Sequence, residues 1–110
     1  MSLQKSEKYI IVTIILEKVE NIWNVKCEEL GTATFGNTFD EALKNIKEAV
    51  ELHLNTLEDV GECEAFLKKN KIEVFSKKPF KKSVVKNVPL NPNIFIQSDI
   101  QPLHCKNQYA

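Results

Sequence analysis

Four glutamates are the residues best placed to bind a catalytic metal, because they flank the first predicted strands: Glu17, Glu20, Glu28 and Glu29. Hydrolysis assisted by Mg²⁺ requires several carboxylates that converge on the ion. The interior of the first predicted strand, residues 9–16, contains no acid that could join them. We therefore predict no catalytic residue, no metal site and no cofactor.

The histidines and cysteines do not have the spacing of metal ligands. His53 lies on an apolar helical stripe without a second His or carboxylate four residues further on, so we expect a packed or half-buried ring. His104 and Cys105 are adjacent, and adjacent residues seldom bind one metal well. Cys27, Cys63 and Cys105 are odd in number and form no C-x-x-C pair, so we expect three reduced thiols.

A lysine cluster follows residue 76 and consists of Lys77, Lys78, Lys81, Lys82 and Lys86. With Phe80 as a stacking group it could hold nucleic acid, whereas a solvated linker and a contact with an acidic protein surface are alternatives. The chain contains no Arg, so it has no planar fork for reading guanine. We expect no sequence-specific DNA binding by this chain alone.

The balanced net charge conceals two parts of opposite sign. Residues 1–75 contain nine Lys against fourteen Asp and Glu, a net charge of −5, whereas residues 76–110 contain six Lys against one Asp, a net charge of +5. The 110 residues are 43% apolar, as in a globular protein. No apolar run reaches the roughly 20 residues that cross a bilayer. We expect a cytoplasmic protein without membrane contact.

Three strands and a helix are predicted from the apolar pattern. Residues 9–16 are almost continuously apolar, which is typical of a strand covered on both faces, and residues 22–28 alternate, with Trp23 on the apolar side. Residues 32–35 form a short third strand between the turn residues Gly31 and Gly36. Thr38 and Glu41 have the spacing of a capping box that begins a long amphipathic helix.

A shorter helix at residues 62–69 and a fourth strand at residues 72–75 complete the predicted domain. The order of elements predicts an α+β fold: a three-stranded antiparallel meander, a long helix, a short helix, and a fourth strand that returns beside strand 1. The predicted sheet order is 3-2-1-4.

Residues 76–110 differ in kind from the rest, because all four prolines lie there and helical periodicity is absent. We therefore divide the chain into a domain at 1–75 and an extension at 76–110 that could add edge strands to this chain or to a neighbour. The predicted contacts for a partner or a second copy are Trp23, Lys81, Lys82, Val84, Val85, Ile94, Phe95 and Ile96.

With these elements placed, the chain resembles the HicB family of antitoxins. The resemblance spans residues 9–75 and rests on the pattern Glu28-Glu29-Leu30-Gly31-x-x-Thr34-x-Gly36-x-Thr38-x-x-Glu41-Ala42-Leu43. It implies a partial RNase H-like fold that neutralises a small, HicA-like ribonuclease toxin by covering its surface, and that self-associates. We expect the family's usual C-terminal DNA-binding domain to be absent, because residues 76–110, with their four prolines, cannot supply its helices.

Our leading interpretation is a non-enzymatic HicB-like antitoxin or solitary relative that forms homo-oligomers. The alternative is an RNA-binding accessory protein that uses the lysine-rich tail. A degenerate enzyme is the third possibility, since enzymes of the RNase H fold place an Asp inside strand 1 and residues 9–16 have none.

Overall fold

A computed structural model describes residues 8–77, 85–88 and 91–103, which form one antiparallel sheet and two helices. The elements are β1 Lys8–Val19, β2 Ile22–Cys27, β3 Thr32–Gly36, α1 Phe39–Asp59, α2 Cys63–Lys69, β4 Val85–Val88 and β5 Asn91–Leu103. The strand order is β3-β2-β1-β5-β4. The predicted α+β class, the antiparallel meander and the long and short helices are confirmed. Neither helix is long and apolar enough to span a membrane, within the described ranges.

The start of α1 follows from its capping residues. Thr38 has extended backbone angles, and its Oγ1 accepts a hydrogen bond of 3.0 Å from the backbone N–H of Glu41. The Glu41 carboxylate accepts a second bond of 2.7 Å from the backbone N–H of Asn37, one residue before the cap. The predicted cap by Thr38 is therefore confirmed, whereas the Glu41 carboxylate binds the amide of Asn37 and not the Thr38 amide that a capping box predicts.

Two glycines shape the chain before α1. Gly31 has a φ of +70°, a left-handed conformation that suits the β2–β3 turn. Gly36 ends β3 so close to the first turn of α1 that a Cβ on it would lie 2.5 Å from the backbone N of Ala42. Only glycine allows this approach of strand and helix.

The hydrophobic core lies between the sheet and the helices. Every second residue of β1 contributes to it, from Ile10 to Leu16, and each of these four side chains is at most 2% exposed. Helix α1 contributes Ala42, Ile46, Val50 and Leu54, and α2 contributes Cys63 and Leu67. Both helices thus bury their apolar residues against the same face of the sheet.

Strand β5 lies in the interior of the sheet, between β1 and β4. It pairs with β1 over ten residue pairs, from Lys8 opposite Leu103 to Glu17 opposite Ile94, and β4 pairs with its other edge. An edge position for Ile94, Phe95 and Ile96 is therefore wrong, and a boundary at 75/76 cuts through one sheet. Val85 lies in β4, the last strand of the order.

A proline inside β5 explains part of this error. Pro102 lies opposite Tyr9, whose own backbone N–H and C=O bond to Phe75 on the other side of β1. Tyr9 and Pro102 therefore form a non-hydrogen-bonded pair, in which the residue at position 102 donates no backbone hydrogen bond to β1. Its lack of a donor therefore does not interrupt the ladder.

Residues 72–75 do return beside β1, but through a single bridge. The backbones of Tyr9 and Phe75 exchange hydrogen bonds of 2.8 and 2.7 Å in antiparallel orientation. Thr13, four residues along β1, accepts from Glu28 at the end of β2, so Phe75 lies on the β2 side of β1. The strand that pairs along β1 is β5.

Candidate interaction surface

The face of the sheet opposite the helices carries a group of partly exposed isoleucines. Residues paired across an antiparallel sheet point to the same face, and the register places Ile11 opposite Ile100 and Ile15 opposite Ile96. We name this group the isoleucine face, and its members are Ile11, Ile15, Ile94, Ile96 and Ile100. Among the described residues no helix packs on it, because both helices bury their apolar residues in the core on the other side.

A pair of hydroxyl residues lies in the middle of the isoleucine face. Thr13 and Ser98 are opposite each other between the two isoleucine pairs. The Glu29 carboxylate accepts a hydrogen bond of 2.8 Å from the Thr13 hydroxyl and one of 2.6 Å from the Thr13 backbone N–H. Ser98 also has a polar contact. The Thr13 hydroxyl is therefore satisfied within the chain.

Charged residues of both signs border the isoleucine face. Glu17 of β1 and Lys26 of β2 are exposed and point to the same side of the sheet as Ile15. The Lys26 Nζ lies 3.9 Å from the Glu28 carboxylate, with both side chains more than half exposed. Such a pair contributes at most about 1 kcal/mol. The border thus carries charges of both signs, and inside it the isoleucine pairs lie on either side of the Thr13–Ser98 pair.

The predicted contact residues do not form one surface. Ile94 and Ile96 lie on the isoleucine face, whereas Phe95 points to the helix side and packs with Trp23 and Phe39. The three rings form a triangle with centroid distances of 5.1 to 5.7 Å. This aromatic cluster joins β2, β5 and the start of α1. Lys81, Lys82 and Val84 lie outside the described residues.

The four candidate glutamates are not brought together. Glu17 lies opposite Asn24 of β2 and Glu20 lies in the β1–β2 turn, whereas Glu28 and Glu29 follow the far end of β2, about 14 Å or more along the strands. The Glu29 carboxylate is engaged with Thr13. No group of three or more His, Cys, Asp or Glu residues with metal-binding geometry occurs in the described part of the chain.

A crevice of about 310 Å³ lies on the helix side, where α1 does not reach across β5. Its floor is formed by core residues such as Val12, and Lys47, Glu51 and Asp99 are at its walls. The buried Gln97 side chain donates hydrogen bonds of 2.9 and 2.8 Å to the Asp99 carboxylate. This volume is at the lower limit for small-molecule pockets.

The structure confirms the prediction for His53 and contradicts the prediction for the cysteines. His53 is half-buried, as predicted, with its Nδ1 3.0 Å from the Thr32 hydroxyl and its ring against Phe66. Cys27 is a free buried thiol, and burial raises its pKa. Cys63, however, is disulfide-bonded, so the expectation of three reduced thiols is wrong.

The chain as a whole is neutral, but its charges are segregated. Residues 1–75 have a net charge of −5 and residues 76–110 a net charge of +5. No protein-family model, curated protein or solved structure matches the chain. The resemblance to HicB antitoxins therefore rests on the sequence pattern, and the chemistry of the surface has to support any functional assignment.

Proposed function

We propose that this chain is a non-enzymatic protein-binding module of the HicB antitoxin type, which covers the surface of a small basic ribonuclease. The isoleucine face is the binding surface. The observation that supports this is a sheet with helices on one side and five partly exposed isoleucines on the other. Exposed apolar patches with a polar border are typical of protein interaction sites.

The pairing of β1 and β5 favours a protein partner over a small ligand. The face is a broad pleated surface rather than a cleft, and its side chains come from two long strands with ten registered pairs. Small ligands bind mostly in concave pockets, whereas protein interfaces have an apolar centre and a polar rim. Glu17 and Lys26 provide such a rim.

The charge of residues 1–75 favours a basic partner. These residues have a net charge of −5, which residues 76–110 balance with +5, and a ribonuclease that binds RNA phosphates presents a positive surface. Attraction between surfaces of opposite sign accelerates encounter and weakens as salt rises. Occlusion then requires no catalytic group, because the bound module excludes RNA from the covered surface.

The proposal is tested by titrating a purified HicA-type ribonuclease with the chain and measuring RNA cleavage. We expect the wild type to inhibit cleavage and Ile100→Lys to lose inhibition, because the change places an unpaired ammonium in one of the two isoleucine pairs of the interface. Ile100→Thr, which keeps a β-branched residue in β5, is the milder variant in case the lysine prevents folding.

Leu52→Lys is the matched control, because Leu52 is 67% exposed on α1, on the other side of the sheet. It introduces the same charge and should inhibit as the wild type does. Equal inhibition by the wild type and both Ile100 variants would refute the assignment of the face. Binding of RNA by the chain alone, with a steep loss as salt rises, would favour the accessory-protein alternative.

A further inference from the structure

We propose that the crevice between α1 and β5 binds a free amino acid with an aliphatic side chain. The crevice has a volume of about 310 Å³ and lies on the helix side of the sheet. Lys47 binds the carboxylate of the ligand, Glu51 binds its ammonium, and Val12 and Val50 contact its side chain. These four residues are not part of the isoleucine face, so the proposal does not depend on the proposed function.

The crevice exists because α1 lies over the β2 and β3 side of the sheet. The His53 ring meets the Thr32 hydroxyl of β3 at 3.0 Å, and the Asn45 side chain donates a hydrogen bond of 2.8 Å to the carbonyl of Phe35. On the β5 side the helix leaves a gap whose floor includes Val12 of β1. A concave site with an apolar floor is the usual form of a small-ligand pocket.

The residues of β5 on the helix side are polar next to this gap, in contrast to their partners in β1. The register places Gln97 opposite Ile14 and Asp99 opposite Val12, and Gln101 is the next residue on the same side. Val12 and Ile14 are at most 2% exposed. A strand that only filled the core beside them is expected to be apolar. The polar row instead provides groups that can orient a bound molecule.

The Asp99 carboxylate is held in place at one wall of the crevice. The Gln97 side chain is buried, and its amide donates hydrogen bonds of 2.9 and 2.8 Å to the two carboxylate oxygens. Asp99 also makes a further contact. Hydrogen bonds to an ionised group are stronger than neutral ones, so this carboxylate is well fixed. Its charge makes this wall attractive to a cationic group of a ligand.

Two charged groups of α1 are available at the other wall. Lys47 and Glu51 are four residues apart, on one side of the helix, and both are exposed next to the buried Val50. Within the described ranges neither side chain has an ion pair or a hydrogen bond. The Lys47 ammonium can therefore donate to a ligand carboxylate, while the Glu51 carboxylate accepts from a ligand ammonium.

The signs of these charges favour a zwitterion over a ligand with one charge. An acid without an ammonium would place its carboxylate near Glu51 and Asp99, which repel it. An amine without a carboxylate would place its ammonium near Lys47 and leave that lysine without a partner. The apolar floor favours an aliphatic side chain, because burial of apolar surface is favourable.

Isothermal titration calorimetry of the full chain with L-leucine as the probe tests the proposal. We expect one saturable site with a Kd below about 1 mM. Leucinamide lacks the carboxylate and 4-methylpentanoate lacks the ammonium, and each should bind at least about 10-fold more weakly because one charge-assisted contact is lost. The two analogues test the same contacts without any change to the protein.

Substitutions on α1 test the same contacts from the side of the protein. Lys47→Met and Glu51→Gln remove one charge each from exposed positions, and each should raise the Kd for L-leucine at least about 10-fold. The matched controls are Lys26→Met and Glu48→Gln, which remove the same charges from exposed positions outside the crevice. Both controls should bind L-leucine as the wild type does, and circular dichroism verifies that each variant is folded.

Absence of saturable L-leucine binding at about 10 mM would overturn the proposal. Binding that Lys47→Met and Glu51→Gln leave unchanged would overturn it too, since the ligand would then use another site. Leucinamide that binds as tightly as L-leucine would refute the role of Lys47 and the choice of a zwitterion. None of these results alters the ribonuclease assay, which tests the isoleucine face separately.

Discussion

Replacement of Gly36 by alanine tests the close contact between β3 and α1. The added Cβ would lie 2.5 Å from the backbone N of Ala42 and 2.8 Å from its Cα. Both atoms belong to the helix backbone in its first turn, so no side-chain rotation can relieve the overlap. The strand end and the helix start must separate, which strains the capping bonds of Thr38.

Two effects of opposite sign determine the change in stability, and the destabilising one is the larger. Gly36 does not have a positive φ, and at such positions Gly→Ala alone stabilises a protein by about 0.4–1 kcal/mol through the unfolded state. Overpacking costs about 1–3 kcal/mol in cores, and we expect a cost near the upper end because the contact is with backbone. A net loss of about 2 kcal/mol would lower Tm by about 8 °C in a chain of this size.

Urea denaturation followed by the fluorescence of Trp23 and by circular dichroism measures this loss. Gly31→Ala is the matched control, because its Cβ would meet nothing within 4 Å while its φ of +70° imposes a conformational cost of about 1–2 kcal/mol. Adding Ala42→Gly to Gly36→Ala should not restore the lost stability, because the clashing atoms belong to the backbone of residue 42. A Gly36→Ala protein as stable as the wild type, or rescue by Ala42→Gly, would refute the reasoning.

Three further predictions concern the helix cap, the buried thiol and the C-terminal strands. Thr38→Ala should lower the free energy of unfolding by about 1 kcal/mol, and the double variant with Glu41→Ala should lose less than the sum of the single losses; full additivity in urea melts would argue against a shared motif. Because burial raises the pKa of Cys27 in the folded state, the folded thiol keeps its proton above the unfolded value of about 8.5, so stability should fall as pH rises through that value. Cys27→Ser should remove this part of the pH dependence, and an unchanged alkaline profile would contradict the assignment. Deletion of residues 89–110 should abolish cooperative unfolding, because β1 loses all ten pairs with β5; a truncated chain with a sigmoidal urea transition would show that β5 is dispensable.

The sequence was sufficient to predict the elements that are specified by residues close together in the chain. The alternation in β2, the capping residues Thr38 and Glu41 and the three-and-four spacing of α1 each depend on neighbours within a few residues. The turn glycines Gly31 and Gly36 were identified for the same reason. Gly36, however, also makes a close contact with Ala42 that its position in a turn did not reveal.

Errors arose where partners are distant in sequence. The apolar character of both sides of β1 indicated a central strand, but it could not identify β5 as the neighbour, since Lys8 and Leu103 are at opposite ends of the chain. The prolines of the C-terminal segment favoured an appendage, because the harmless position of Pro102 in a non-hydrogen-bonded pair depends on register. The isoleucine face was missed because it is composed of residues from both strands.

The same pairing affects how the chain folds as it is synthesised. Leu16 and its β5 partner Phe95 are separated by 79 residues, which a ribosome adds in roughly 4–16 s at about 5–20 residues per second. During that interval the helices can cover one side of β1, but its β5 edge has no partner from its own chain. The nascent strand β1 is therefore exposed to pairing with other chains until β5 has been synthesised, and its protection depends on that strand.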